Sequence, residues 1–127
     1  MIIGLHHAQI TIPKGKEEEG KQFYCNVLGL REIEKPASLQ GRGGFWLQVG
    51  GKEVHVGTEA GFDRLSTKAH LAYEVENLAF WKEKLKSHSI EILDSVPIPH
   101  YERFEFRDPF GNRVEMIKEI RDGNEDE

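Results

Sequence analysis

Four side chains that can bind a divalent metal ion occur at matching positions in the two halves of this 127-residue chain. The first half contributes His7 and His55, and the second half contributes His70 and Glu115. Imidazole nitrogens and carboxylate oxygens suit Zn, Ni, Co, Mn or Fe(II). The four residues therefore predict a site for one divalent metal ion, and the residue types leave the identity of the ion open.

The matching positions follow from an internal repeat. An offset of 60 residues separates Leu30 from Ile90, Gly51 from Gly111 and His55 from Glu115, and an offset of 63 separates His7 from His70. A constant offset with one three-residue step places the length difference between the first strand and the end of the first helix, where PKGKEEEG (13–20) is the extra connector. The chain is predicted to be one domain over residues 1–120, built from two repeats at about 3–60 and 66–119.

Each repeat is predicted to contain one helix and four strands. Alternation of polar and apolar residues predicts strands, and apolar residues spaced three and four apart predict helices. Asn77 is the predicted N-cap of the second helix, and Gly50 with Gly51 is a two-residue hairpin turn. The predicted elements are strand Leu5–Ile12, helix Lys16–Leu28, strands Leu30–Glu34, Phe45–Val49 and Lys52–Gly57, then strand Lys68–Val75, a helix through Leu78, Trp81 and Leu85, and strands Ile90–Leu93, Tyr101–Arg107 and Arg113–Lys118. The order predicts an α+β fold of two βαβββ modules, followed by a disordered acidic tail at 121–127.

All four candidate ligands lie on the polar side of their strands, opposite the apolar side that packs under the helices. The same parity predicts which other side chains line the concave face, because a two-residue hairpin pairs Trp46 with His55 and Gln48 with Glu53. The predicted substrate-binding residues are Gln9, Trp46, Gln48, Tyr101, Arg103 and Glu105. This mixture of one aromatic wall and several polar groups suits a small polar or anionic oxygenated ligand. Glu53, on the same face as His55, is the candidate catalytic base.

Composition excludes several classes of partner. The net charge of −5 and the pI near 5.7 leave no basic face for a phosphate backbone, so no nucleic-acid partner is expected. A single cysteine, Cys25, excludes an internal disulfide and fits a reducing compartment. The start MIIGLHHAQI lacks the features of a signal peptide, and no apolar run approaches the roughly 18 residues of a membrane span. A cytoplasmic protein without a membrane partner is expected.

The segments LHHAQITI, FYCNVLGL, AHLAYEV and FRDPFGNRVEMI resemble those of the vicinal oxygen chelate superfamily, over about residues 3–119. This superfamily includes glyoxalase I, fosfomycin-resistance proteins, methylmalonyl-CoA epimerase, extradiol dioxygenases and bleomycin-resistance proteins. The resemblance implies paired βαβββ modules that form a cupped mixed sheet around a metal, with the helices on its outer face. It also implies a homodimer that exchanges modules, in which one site takes His7 and His55 from one chain and His70 and Glu115 from the other.

The expected function is that of a metal-dependent lyase, isomerase or thiol or water transferase that stabilises an oxyanion on its substrate. Glyoxalase I-like enzymes have glutamate or glutamine at the position of His55, and this chain departs from that pattern. One alternative is a small-molecule-binding protein without catalysis, as in bleomycin resistance. A second is an extradiol-type dioxygenase. Four protein ligands leave too few open positions for a catecholate and dioxygen together, unless His55 is an acid–base group and not a ligand.

Overall fold

The computed structural model describes residues 1–121 and divides into two compact units, the first spanning Met1–Asp63 and the second beginning at Arg64. These units contain the two predicted repeats. The predicted disordered tail lies outside the described residues apart from Arg121. None of the helices within residues 1–121 is long and apolar enough to cross a lipid bilayer.

The first unit is a four-stranded mixed sheet with a short helical segment. Its elements are β1 (His7–Ile12), α1 (Glu17–Lys21), a π-helical segment (Gln22–Val27), β2 (Arg31–Ile33), a 3-10 helix (Ala37–Arg42), β3 (Phe45–Val49) and β4 (Lys52–Thr58). The strand order is β1-β4-β3-β2. The first and last strands pair in parallel, and the other pairs are antiparallel.

The second unit repeats this arrangement. Its elements are a 3-10 helix (Arg64–Ser66), β5 (His70–Glu74), α2 (Leu78–Ser87), β6 (Leu93–Asp94), β7 (Tyr101–Arg107) and β8 (Arg113–Glu119). The strand order is β5-β8-β7-β6, again with the first and last strands parallel. The predicted α+β fold class of two βαβββ modules is confirmed.

One face of each sheet carries an apolar core. In the second unit Phe104 and Phe106 of β7 are buried, and so are Val114 and Met116 of β8. The N-terminus of α2 is capped as predicted, because the side chain of Asn77 accepts a hydrogen bond from the Phe80 N–H at 3.0 Å. Because these apolar side chains lie on one face of the sheet, the polar side chains that alternate with them lie on the opposite face.

The predicted helix Lys16–Leu28 is only partly correct, since α-helical structure ends at Lys21 and continues as a π-helix. There the N–H of Leu28 donates to the carbonyl oxygen of Phe23, five residues earlier, at 2.9 Å. The predicted apolar side chains, including Phe23 and Leu28, are nonetheless buried. Their spacing predicts which face is buried and does not distinguish an α-helix from a π-helix.

The predicted strand Ile90–Leu93 is wrong except at its last residue, because β6 begins at Leu93. The backbone N–H groups of Ser89 and Ile90 donate to carbonyl oxygens in the last turn of α2, and Ser89 has φ 62. This C-terminal cap keeps the chain out of the sheet for three residues. Other strand ends differ by one or two residues, as at β1, which begins at His7 and not at Leu5.

Gly44 occupies a position where no side chain fits. Its φ is +80, and a Cβ there would overlap the carbonyl oxygen of Val56. We expect Gly44→Ala to lower the free energy of unfolding by about 3 kcal/mol or more, as clashes with backbone do. Gly29→Ala is the matched control, because Gly29 has φ +77 with no atom within 4 Å. It should cost only the left-handed penalty of about 1 kcal/mol. Urea denaturation measures both variants, and an equal loss of unfolding free energy in the two would contradict the predicted clash.

Candidate functional site

Three potential ligands come together on the polar face of the second sheet. His70, Glu105 and Glu115 offer atoms that all lie within 4.8 Å of one another. Glu105 and Glu115 are directly opposite in the antiparallel pair of β7 and β8, and His70 begins the neighbouring strand β5. The two carboxylates are only 9% and 4% exposed. Burial of two carboxylates at one position requires nearby cations.

The hydrogen bonds of His70 determine which of its nitrogens is available to a metal. Its Nδ1 lies 2.9 Å from the carbonyl oxygen of Lys68, which can only accept, so Nδ1 carries the hydrogen. Its Nε2 lies 3.1 Å from Oε1 of Glu115. In the neutral imidazole with its hydrogen on Nδ1, the two facing atoms each carry a lone pair, and neither can donate a hydrogen bond. This pair of atoms could therefore hold a cation that both of them bind.

Two arginines balance the buried carboxylates. The guanidinium of Arg103 donates to Oε1 of Glu115 at 3.1 Å and to the carbonyl oxygen of Val96 at 3.1 and 2.6 Å. Arg113 binds Oε2 of Glu105 at 2.8 and 2.6 Å. Glu105 is therefore committed to Arg113, whereas Glu115 shares one oxygen between Arg103 and His70.

In the first unit, three aromatic rings form a stack on the polar face of the sheet. The rings of Trp46 and His55 are parallel within 1° with centroids 3.7 Å apart, and those of His55 and His7 lie within 17° at 4.0 Å. Trp46 is directly opposite His55 in the pairing of β3 and β4, and Gln48 is opposite Glu53, which is the register predicted for this hairpin. His55 is 7% exposed, whereas His7 is exposed.

This stack constrains what His55 can do. A metal ion bound to imidazole lies near the plane of the ring, and two nearly parallel rings have no common in-plane position for one ion. His55 is held between two rings, and its Nε2 bonds Oε1 of Glu53 at 2.9 Å. His7 is exposed, and its Nδ1 lies 3.0 Å from Nδ1 of His6. Both ring faces of His55 and its Nε2 are therefore occupied by other side chains.

Glu53 has the features of a positioning residue more than those of a base. The hydrogen bond from His55 lowers the pKa of the Glu53 carboxyl below its usual value. A general base is most effective when its pKa is near the working pH, and this shift is in the opposite direction. Because Glu53 accepts the Nε2 hydrogen of His55, it fixes the tautomer and leaves Nδ1 of His55 as the free acceptor.

A cavity of about 490 Å³ opens beside the stack in the first unit. Its lining comprises His7, Gln9, Lys35, Leu39, Arg42, Gly43, Trp46, His55, Val56, Gly57 and Thr58. Of the predicted substrate-binding residues in this unit, Gln9 and Trp46 line it. Gln48 does not, because its amide donates to the carbonyl oxygens of Gly50 and Lys52 at 2.8 and 3.0 Å across the hairpin turn.

Sequence reasoning missed Lys35 and Arg42, which line this cavity from the segment around the 3-10 helix. The sequence of that helix has no strong periodicity. Its only signal is one cation at each end of a segment that contains proline and glycine. In the second unit Tyr101 and Arg103 line a separate cavity of about 440 Å³, whose other lining residues are Leu78, Ala79, Lys82, Ser95, Pro97 and Glu102.

Comparison with known proteins identifies relatives over nearly the whole chain. The family model described as Glyoxalase/Bleomycin resistance protein/Dioxygenase superfamily matches residues 4–116. A crystal structure described as a "putative glyoxalase family protein" from Bacillus anthracis is 39% identical, with a TM-score of 0.87, and the match covers 94% of this chain and 97% of that one. The fosfomycin resistance protein FosX from Listeria monocytogenes is 18% identical with a TM-score of 0.73, covering 91% of each chain, which shows a common fold.

A curated relative is the "Putative ring-cleaving dioxygenase MhqO" of Bacillus subtilis (strain 168). It is 28% identical over 133 aligned residues, which include 91% of this chain. The chain spans 40% of the length of that relative.

The ion pair between Arg103 and Glu115 should matter for stability because it is buried. The two side chains are 15% and 5% exposed, against 68% and 57% for the pair of Arg121 and Glu119. We expect Arg103→Gln to lower the free energy of unfolding of the metal-free protein by about 3 kcal/mol, since it leaves a carboxylate buried without its cation. The matched control Arg121→Gln should cost less than about 1 kcal/mol. Urea denaturation measures both, and equal effects would contradict the role given to burial.

Proposed function

Because the chain belongs to the Glyoxalase/Bleomycin resistance protein/Dioxygenase superfamily, we propose that it is a divalent-metal-dependent enzyme acting on a small oxygenated substrate. The proposed ligands are His7, His70 and Glu115, with His55 as the fourth ligand or as an acid–base group. In the module-exchanging homodimer that the resemblance implies, His7 and His55 come from one chain and His70 and Glu115 from the other. The ion is one of Zn, Ni, Co, Mn or Fe. The homodimer implied by the resemblance stays a prediction.

The observation that carries this proposal is the contact between His70 and Glu115. Nδ1 of His70 is occupied by a backbone carbonyl, and Nε2 faces Oε1 of Glu115 at 3.1 Å. These two atoms are close enough together that both could bind one divalent ion. A histidine whose other nitrogen donates to a carbonyl is the usual arrangement around protein metal sites.

The donor set fits such an ion, which would supply Lewis acidity to a substrate oxygen. The remaining groups act around it. Arg103, fixed by Val96, is a cation next to Glu115 that can orient a negatively charged substrate group. His55, whose tautomer Glu53 fixes, can take a proton from a substrate hydroxyl or carbon at Nδ1.

Metal binding tests the proposed ligands directly. We expect His70→Ala and Glu115→Gln each to weaken metal binding by about 100-fold or more, because each removes a donor. The matched control is His88→Ala, which removes an exposed histidine of the same unit from the end of α2. Purified protein would be reloaded with Mn, Zn, Ni and Co, and its metal content measured by elemental analysis and competition with a chelator.

The metalloenzyme proposal would be wrong if wild-type protein retained less than about 0.1 metal ion per chain after reloading, since a functional site of this type should be nearly filled. It would also be wrong if His70→Ala and His88→Ala bound metal equally well. A protein that bound small oxygenated ligands without metal would then support the non-catalytic alternative.

A ring-cleaving dioxygenase is the second candidate, and the stack of His7, His55 and Trp46 favours it. If His55 is not a ligand, two histidines and one glutamate remain, which is the ligand set typical of non-haem iron(II) oxygenases. The similarity to MhqO, which is described as a putative ring-cleaving dioxygenase, supports the same candidate. This set removes the objection that four ligands leave too few open positions.

The variant His55→Ala, whose side chain has no donor atom, separates the two roles of this residue. If His55 is an acid–base group, the variant should keep its metal content and lose about 10² to 10⁴-fold in turnover. Loss of metal instead would identify His55 as a ligand and contradict the acid–base role. The substrates would be catechols with iron(II), together with hemithioacetals, fosfomycin plus thiols, and acyl-CoA epimers with the other metals. Activity with catechols in iron-loaded protein alone would select the dioxygenase.

A further inference from the structure

We propose that the cavity of the first unit binds the negatively charged group of a small organic oxyanion through Lys35 and Arg42. The inference names the substrate class of the proposed enzyme and rests on the proposed function to that extent. The binding itself requires no metal ion and can be tested separately.

The charge of the cavity lining differs from that of the chain as a whole. The chain has 22 acidic and 17 basic residues and a net charge of −5. The lining contains Lys35 and Arg42 and no aspartate or glutamate. Two cations in one concave lining attract anions. An acidic protein with a positive cavity is suited to select an anionic ligand from solution.

Lys35 is fixed in position and retains free donors. It is partly buried, and its Nζ donates one hydrogen bond to the carbonyl oxygen of Gly43 at 2.7 Å. An ammonium group has three N–H donors, so two remain for a ligand. Because the carbonyl holds the ammonium group at the cavity wall, little side-chain freedom is lost when an anion binds.

The segment that carries both cations is closed on itself. The Gln40 amide donates to the carbonyl oxygen of Lys35 at 3.0 Å and to Oε1 of Glu34 at 3.2 Å. Together with the bond from Lys35 to Gly43, these contacts tie both ends of the 3-10 helix Ala37–Arg42 to the preceding chain. Arg42 at the end of this helix is exposed and has no ion pair or hydrogen bond within residues 1–121. Its five N–H donors are available to a carboxylate or phosphonate.

Glu17 is a carboxylate close to this pair that is already bound to the backbone. Glu17 is close enough to Lys35 to be influenced by its charge, but Oε2 of Glu17 accepts a hydrogen bond from the Gly44 N–H at 3.1 Å. Glu17 is not part of the cavity lining. It therefore anchors the loop after the 3-10 helix, and Arg42 stays unpaired.

The rest of the lining suits the organic part of such a ligand. Trp46 and Leu39 offer apolar surface, and Gln9 and Thr58 offer neutral hydrogen-bonding groups. His7, a proposed metal ligand, is also in the lining. An oxyanion with a compact apolar or aromatic body would place its charge at Lys35 and Arg42 and its body against Trp46.

Binding of simple probes to the metal-free full chain tests this inference. The probes are benzoate, phenylphosphonate and the uncharged benzyl alcohol. Their binding is monitored through the indole N–H resonances of Trp46 and Trp81 in NMR spectra. We expect the anions to shift the Trp46 resonance and not that of Trp81, which is on α2 of the other unit. Benzyl alcohol should bind more weakly than either anion. The tighter of benzoate and phenylphosphonate identifies the preferred oxyanion.

Variants assign the binding to the two cations. Arg42→Gln and Lys35→Gln should each weaken anion binding about tenfold, the loss expected for one charge-assisted contact. The matched controls Arg31→Gln and Lys14→Gln remove the same charges from exposed positions outside the lining and should leave binding unchanged. If Lys35→Gln fails to fold, Lys35→Arg is measured in its place. This variant keeps the charge and should therefore bind the anions more tightly than Arg42→Gln does.

The inference would be overturned by an absence of Trp46 shifts at millimolar anion, by equal binding of benzyl alcohol, or by wild-type affinity in Arg42→Gln. Metal content of the same samples is measured separately. Anion binding in a protein that fails to bind metal would support this inference and refute the proposed function. Metal binding without anion binding would support the proposed function and refute this inference.

Discussion

The parallel pairing of the first and last strands in each module is the constraint on which the rest of the structure depends. It places β4 between β1 and β3, and β8 between β5 and β7. A central strand has neighbours on both sides, so each of its side chains is flanked on the same face by side chains of two other strands. His55 and Glu115, at equivalent positions of these central strands, are buried although both are polar. Buried polar groups need partners, and these partners define both candidate sites.

Equivalent positions have acquired different chemistry in the two modules. Glu115 faces a histidine and an arginine. His55 is instead enclosed by two rings and a carboxylate. The duplication supplied two polar positions in equivalent strands. The neighbouring strands then supply different partners to the two positions.

The two cations beside the first cavity show how a non-repeated segment adds specificity to a repeated fold. The 3-10 helix Ala37–Arg42 has no counterpart among the described elements of the second unit. It is held by hydrogen bonds of Gln40 and Lys35 and not by an apolar face. Loops of this kind can change sequence without disturbing the sheet, which is why binding specificity is commonly located there.

The sequence by itself determined the α+β class, the two modules, the hairpin register and the face on which the polar side chains lie. All of these follow from local periodicity, turn residues and a constant offset. It did not determine where α2 ends and β6 begins, because capping by Ser89 and Ile90 competes with strand pairing. Nor did it predict the π-helix, the stacking of His55, or Lys35 and Arg42 beside one cavity. Those features depend on contacts between residues distant in the chain, and only the tertiary structure decides which of those contacts form.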